Sequence, residues 1–191
     1  MRLPRLLVLT DRTMCGRPLV DVIADAVGCG ARAVVLREKD LPHDERASIA
    51  ARLRRVLEPV AGVLVMAGPR GEAVHLSAFD PFPSPRPAVV GRSCHDAGQV
   101  AGAGAEGCDY VTVSPVFATA SKPGYGPALG PGGLRAVMTG CPPVYALGGV
   151  LPERVVSCRA AGAHGVAMMG PVMRDPHIVS EYLDALAEVA A

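Results

Sequence analysis

Short runs of apolar residues alternate with amphipathic stretches along almost the whole chain. Leu6–Thr10 is the first run, and Ala33–Arg37, Gly62–Met66, Ala73–Leu76, Ala88–Ser93, Tyr110–Ser114, Val144–Leu147 and Gly165–Met169 follow. These eight runs are short, rich in Val and mostly continuous rather than alternating. That is the pattern of strands buried on both faces of a parallel sheet. The intervening stretches have helical spacing. Leu19–Val27 puts Leu19, Val22, Ile23, Ala26 and Val27 on one face, and Asp44–Leu57 does the same with Ile49, Leu53, Val56 and Leu57 while turning its arginines outward. Asp96 reads as the N-cap of a third helix. Gly132–Met138, Pro152–Ala160 and Pro176–Val189 supply the others, and a proline at the start of the last two suits a first helical turn.

Two connections break the rhythm. Ala67–Glu72 is too short for a crossover helix, and Pro81–Pro87 (PFPSPRP) is too rich in proline. The pattern therefore predicts an α/β fold, a (β/α)8 TIM-type barrel that lacks the outer helices after strands 3 and 4, as a single domain over residues 1–191. A doubly wound open sheet is the other candidate. It expects a Gly-rich phosphate turn after the first strand, where this chain has TDRTMCG.

Composition narrows the function class. The chain of 191 residues is 50% hydrophobic, enough for a core without metals or disulfides, and its formal net charge of +1 carries no nucleic-acid footprint. Aromatic residues make up 4% and Trp is absent, which argues against a base-stacking platform. Cys15, Cys29, Cys94, Cys108, Cys141 and Cys158 form no C-x-x-C and no Cys/His set with zinc spacing. They read as reduced thiols of a cytoplasmic protein. MRLPRLLVLTD is too short in its apolar run for a secretory signal, and no run reaches the roughly 18 residues of a membrane span. Neither a membrane nor a nucleic acid is expected as partner, and a homo-oligomer is left open.

In such a barrel the chemistry lies at the C-terminal ends of the strands. Arg37-Glu38-Lys39 follows the second strand; its two cations can converge on an anion, or the triplet can be a solvated loop. The segment around Thr119, Ser121 and Lys122 offers hydroxyls and an ammonium to phosphate oxygens, or is a surface loop. Gly148-Gly149 after strand 7 and Met169-Gly170 after strand 8 lie where barrels of this kind bind phosphate through backbone N–H groups. Asp80 can help to hold Mg2+ or can be a turn residue before Pro81. His75 and His95 receive no role, and Tyr110 only a place in the core.

Together these pieces resemble the thiamine phosphate synthase / TenI (thiazole tautomerase) family over nearly the whole chain. LVLTD, VVLREK, AVHLSAFD, VVGRSCH, CDYVTVSPVFATASKPG, YALGGV and AGAHGVAMMGPVM are similar to the family's ordered segments at strand ends. The resemblance implies a transferase of thiamin biosynthesis that joins an aminopyrimidine methyl pyrophosphate to a thiazole phosphate with Mg2+. On that reading Arg37, Lys39 and Lys122 match pyrophosphate-binding positions, and Ser93 matches a serine beside them. Thr119 and Ser121 match thiazole-phosphate hydroxyls, Gly149, Met169 and Gly170 match backbone phosphate donors, and Asp80 matches one of two metal carboxylates.

The chain also departs from the pattern. Met66-Ala67-Gly68 stands where the synthases carry Asn-Asp-Arg, whose Asp is the second metal ligand, and Val35 replaces the usual Gln. The alternatives are a TenI-like thiazole tautomerase and a non-catalytic binder of thiazole phosphate or thiamin phosphate. The tautomerase's acid–base His would fall in the strand-6 segment, where this chain has Pro115.

Overall fold

The computed structural model describes residues 3–119 and 127–188. Eight strands close into a barrel in sequence order: β1 (Leu6–Leu9), β2 (Ala33–Leu36), β3 (Val63–Ala67), β4 (Ala73–Leu76), β5 (Val89–Cys94), β6 (Tyr110–Val113), β7 (Val144–Ala146) and β8 (Gly165–Met168). Every neighbouring pair is parallel, and β8 returns to β1 through Leu6↔Val166 and Val8↔Met168. All eight runs read from the hydrophobic pattern are strands; five are shorter by one residue, and β3 and β5 are shifted by one.

Because successive side chains on a strand point to opposite faces, each run feeds two cores. Leu7, Leu9, Val35, Val65, Ala67, Tyr110, Tyr145 and Ala167 fill the barrel interior. Leu6, Val8, Val34, Leu36, Val74, Leu76, Val90, Val111 and Val166 face outward and pack against the helices. This double burial is why the runs are continuous rather than alternating.

The helices are α1 (Leu19–Gly28), α2 (His43–Leu57), α3 (Ala97–Ala105), α4 (Gly130–Ala136), α5 (Val155–Ala160), α6 (Gly170–Arg174) and α7 (Ile178–Glu188). Asp96 caps α3, its side chain accepting from the Gln99 N–H at 2.8 Å. Several expected boundaries shift. The helix expected from Gly132 begins at Gly130, and Pro152–Arg154 forms a 3-10 turn ahead of α5. The last helix opens at Ile178, two residues after the expected proline, while its expected end at Val189 lies outside the described residues. The short α6 after β8 has no counterpart in the sequence pattern.

No helix follows β3 or β4. The chain passes from Ala67 to Ala73 in parallel orientation through residues 68–72, far fewer than the dozen or so that a crossover normally takes. The Pro-rich stretch between β4 and β5 is held by charge instead of by a helix. Arg92 of β5, 5% exposed, donates through Nη1 to the carbonyls of Ser77 at 2.9 Å and Asp80 at 2.8 Å. Its Nη2 lies 2.7 Å from Glu106. Arg86 pairs with Asp109 at 2.8 Å, and that same carboxylate accepts from the Val90 N–H at 2.7 Å. Among the described residues, no helix is long and apolar enough to cross a membrane.

Candidate active site

The C-terminal ends of the strands surround a cavity of about 1150 Å³. It is lined by Arg37, Lys39, Ser93, Thr119, Gly148, Gly149, Met169 and Gly170, which are eight of the residues singled out in the sequence. Ser121 and Lys122 lie outside the described residues. Asp80 is not among the lining residues; its carboxylate lies 3.5 Å from the ammonium of Lys39, which is.

The β1–β2 side of the mouth is built around Glu38. Strand alternation puts Val35 inside the barrel and Leu36 outside, so the chain leaves β2 with Arg37 on the mouth side. Glu38 turns in and is 4% exposed. It accepts from the Thr10 hydroxyl at 2.7 Å, from the Arg12 backbone N–H at 3.2 Å and from Arg12 Nη1 at 3.1 Å. The same Nη1 also donates to Asp40 at 2.9 Å, and Nη2 donates to it at 2.6 Å. Arg12 thereby holds the Asp40 carboxyl below its usual range, and the two carboxylates hold Arg12 firmly protonated. With Glu38 spent on Thr10 and Arg12, it does not pair with its two flanking cations, whose own carboxylate contacts are longer: Lys39 with Asp80 at 3.5 Å and Arg37 with Asp11 at 3.9 Å. The Arg37 backbone N–H donates to the Thr10 hydroxyl at 2.9 Å, and its guanidinium donates to the Thr10 carbonyl at 3.2 Å. Thus Arg37-Glu38-Lys39 is neither wholly a solvated loop nor wholly an anion site: the middle residue is a buried anchor, and the outer two face the mouth.

On the β4–β5 side, His75 joins Ser93 through Nε2 at 2.9 Å and Tyr110 through Nδ1 at 3.0 Å. Burial, reinforced by the nearby Lys39 and Arg37, pushes the His75 pKa down to about 3, so the ring is neutral at physiological pH. Tyr110 crosses the barrel interior beneath it. A Cβ at Gly91 would meet the Tyr110 ring at 2.0 Å, so only glycine at this position leaves the phenol its room. Asp80 accepts from the Ser77 N–H at 2.7 Å. Burial opposes its ionisation, but the Ser77 N–H and Lys39 outweigh it and lower its pKa. His95 lines the mouth and donates from Nδ1 to the Ser114 carbonyl at 2.7 Å. The ring of Phe79, 90% exposed, stands at the rim.

The β6–β8 side is made mostly of backbone. The Val116 N–H donates to the Leu147 carbonyl and the Phe117 N–H to the Gly148 carbonyl, both at 2.9 Å, which laces the loop after β6 to the loop after β7. Gly149 has φ +63°, and a Cβ there would meet the Ala118 carbonyl oxygen at 2.3 Å, so the position requires glycine. Arg154 donates to the Gly149 carbonyl at 2.8 Å and lies over the Phe117 ring, 4.8 Å from its centroid. Arg174 at the end of α6 also lines this side.

Sequence reasoning passed over Thr10, His75, Arg154 and Arg174. Thr10 follows β1 and works through Glu38 after another strand, His75 sits within β4, and the two arginines belong to helical stretches, where charge normally marks a solvated face. Only the closure of the barrel turns them to one cavity. Among the described residues, no three His, Cys, Asp or Glu side chains gather as a metal-binding group. At the end of β3, Ala67 lines the cavity without any donor side chain.

Comparison with known proteins agrees with this arrangement. A family model described as thiamine monophosphate synthase matches residues 84–172. The thiamine-phosphate synthase of Methanoculleus marisnigri is 33% identical over 97% of this chain and 95% of its own length. That of Roseiflexus castenholzii is 35% identical over 96% of this chain and 87% of its own. Among solved structures, thiamine phosphate pyrophosphorylase from Pyrococcus furiosus superposes with a TM-score of 0.84 at 24% identity, covering 98% of this chain and 97% of that one, which shows a shared fold. The eight-stranded barrel and the sequence likeness over almost its full length together place this chain in the thiamine-phosphate synthase family.

Proposed function

We propose that the chain is a thiamine-phosphate-synthase-type transferase, joining an aminopyrimidine methyl pyrophosphate to a thiazole phosphate. The observation that carries this reading is one cavity that brings together two groups of potential anion donors. Arg37, Lys39 and Ser93 form one, and Gly148, Gly149, Met169 and Gly170, with Arg154 and Arg174 beside them, form the other. Its volume of about 1150 Å³ suits two substrates better than one.

The chemistry follows from the charges. The bond between the pyrimidine methylene carbon and the pyrophosphate oxygen breaks, its electron pair leaving with pyrophosphate. The thiazole nitrogen lone pair then forms the new bond to that carbon. Negative charge grows on the departing oxygen, so fixed cations at Arg37 and Lys39 lower the barrier without reorganising. A thiazole held by its phosphate at the glycine pole is already placed to attack, which removes the entropic cost of an encounter. The apolar walls around Leu9, Ala67 and Leu147 limit water as the competing nucleophile.

The residues fit Mg2+ only as an ion carried by the pyrophosphate, a mode that needs one or two carboxylates with water and phosphate oxygens completing the shell. Asp80, kept ionised by Ser77 and Lys39, is the carboxylate that would meet it, because Ala67 offers no second ligand. When bound, such an ion supplies further charge neutralisation to the leaving group.

Incubation of the two substrates with the protein and Mg2+ tests the reading: pyrophosphate and thiamin phosphate should appear in equal amounts. Isomerisation of a thiazole carboxylate phosphate in place of coupling would assign the tautomerase activity instead. Cytoplasmic operation on small phosphorylated metabolites belongs to the same proposal.

A further inference from the structure

We propose that Tyr110 and His75 are positioning residues that fix the Ser93 hydroxyl as a hydrogen-bond donor to the pyrophosphate of the bound substrate. The inference rests on the proposed function for its ligand, but its hydrogen accounting stands on the fold alone. Tyr110 is 2% exposed, and its hydroxyl has one partner among the described residues, His75 Nδ1 at 3.0 Å. Suppose Nδ1 carried a proton. The phenol would then accept, and its own proton would be buried without an acceptor, at the full cost of desolvating it. The phenol therefore donates to Nδ1, which must be the bare nitrogen.

The ring is neutral because burial opposes its charge, as do the nearby Lys39 and Arg37. A neutral imidazole with a bare Nδ1 carries its proton on Nε2. That N–H donates to Ser93 Oγ at 2.9 Å. The serine oxygen is thereby occupied as an acceptor, and its own proton turns away from the ring. Thr112, its register partner on β6, does not receive it, since the Thr112 hydroxyl is buried without a partner. Among the described residues, Ser93 has no other hydrogen-bond partner, and it lines the cavity. The relay from Tyr110 through His75 thus delivers a donor of fixed direction into the cavity that Lys39 also lines. A donor so held selects an anionic oxygen.

Two measurements test this on the intact protein. Nitrogen-15 NMR of the His75 ring at pH 7.5 should show Nε2 protonated and Nδ1 unprotonated. An Nδ1–H tautomer or an imidazolium overturns the proposal whatever the protein catalyses. Calorimetry with inorganic pyrophosphate then probes the coupling. Tyr110→Phe, which keeps the ring that packs against Gly91, should weaken binding about threefold to tenfold, the range of one hydrogen bond. In a Ser93→Ala background the same substitution should cost less than about twofold. Equal losses in both backgrounds would make Tyr110 merely structural and overturn the relay. His75→Gln can place a carbonyl toward Tyr110 and an N–H toward Ser93, so it should recover most of the affinity that His75→Leu loses; no recovery counts against the proposal. Absence of turnover with a correct tautomer and coupled pyrophosphate binding would sink the proposed activity and leave the relay standing.

Discussion

Arg37, at the end of β2, reaches over β1 and donates to the sulfur of Met169, after β8, at 2.9 Å. The contact joins the cationic side of the mouth to the glycine side, so the two proposed anion poles share one edge. It also gives the guanidinium a neutral partner beside its one long ion pair, to Asp11 at 3.9 Å. An incoming pyrophosphate can displace the sulfur without breaking a strong ion pair.

The first prediction follows from that placement. Arg37→Met should weaken binding of the pyrophosphate substrate by roughly tenfold to a hundredfold, the value of one or two charge-assisted hydrogen bonds. Thiazole phosphate should lose less than about threefold. Titration calorimetry with each substrate separately reads the difference, and equal losses would contradict the division of the cavity into two poles.

Gly149→Ala should do the reverse. The new Cβ meets the Ala118 carbonyl at 2.3 Å in a backbone conformation with φ +63°. The loop after β7 must shift, at a cost of about 1–3 kcal/mol in stability. Thiazole phosphate affinity should fall at least about tenfold while pyrophosphate affinity holds. Urea denaturation with the same calorimetry checks both halves.

His75 makes stability depend on pH in a defined direction. Its pKa is about 3 in the folded protein against 6.5 ordinarily. A depressed histidine pKa means that the unfolded chain binds the extra proton, so its contribution is complete above about pH 6.5 and is lost as pH falls toward 3. Between pH 6.5 and 5, above the range where carboxylates titrate, the loss should be on the order of 2 kcal/mol. Urea midpoints of the native protein and His75→Gln at pH 7 and pH 5 test this: the drop should largely vanish in the variant.

Three thiols should resist modification. Burial pushes Cys94 up to about 12 and Cys158 up to about 11, and it raises Cys108 as well. Little thiolate exists at these positions near pH 8, and access is blocked. Iodoacetamide at pH 8 followed by peptide mass spectrometry should label Cys29 well before Cys94, Cys108 or Cys158.

The architecture was legible in the sequence because a barrel strand buries both faces. Runs such as AVVL of β2 and YVTV of β6 therefore stay apolar throughout. The absence of helices after β3 and β4 was legible for a different reason, since residues 68–72 are too few and the proline stretch cannot form one. What escaped were elements whose signal is tertiary. α6 is five residues long and starts Gly-Pro, so it has no period to detect. Glu38 resembles a charge balancing its neighbours until Thr10 and Arg12, 28 and 26 residues away, are seen to enclose it. His75 looks like an ordinary core histidine, because Ser93 and Tyr110 lie 18 and 35 residues further along. Candidate residues that end a strand could be found from the sequence; those that work through a partner on another strand could not.

The most direct measurement is product formation from aminopyrimidine methyl pyrophosphate and thiazole phosphate, following pyrophosphate and thiamin phosphate together, with and without Mg2+. The account predicts that the two products appear in equal amounts when Mg2+ is present, even though Ala67 at the end of β3 offers no carboxylate. Binding of thiazole phosphate with no release of pyrophosphate under any metal condition would contradict it.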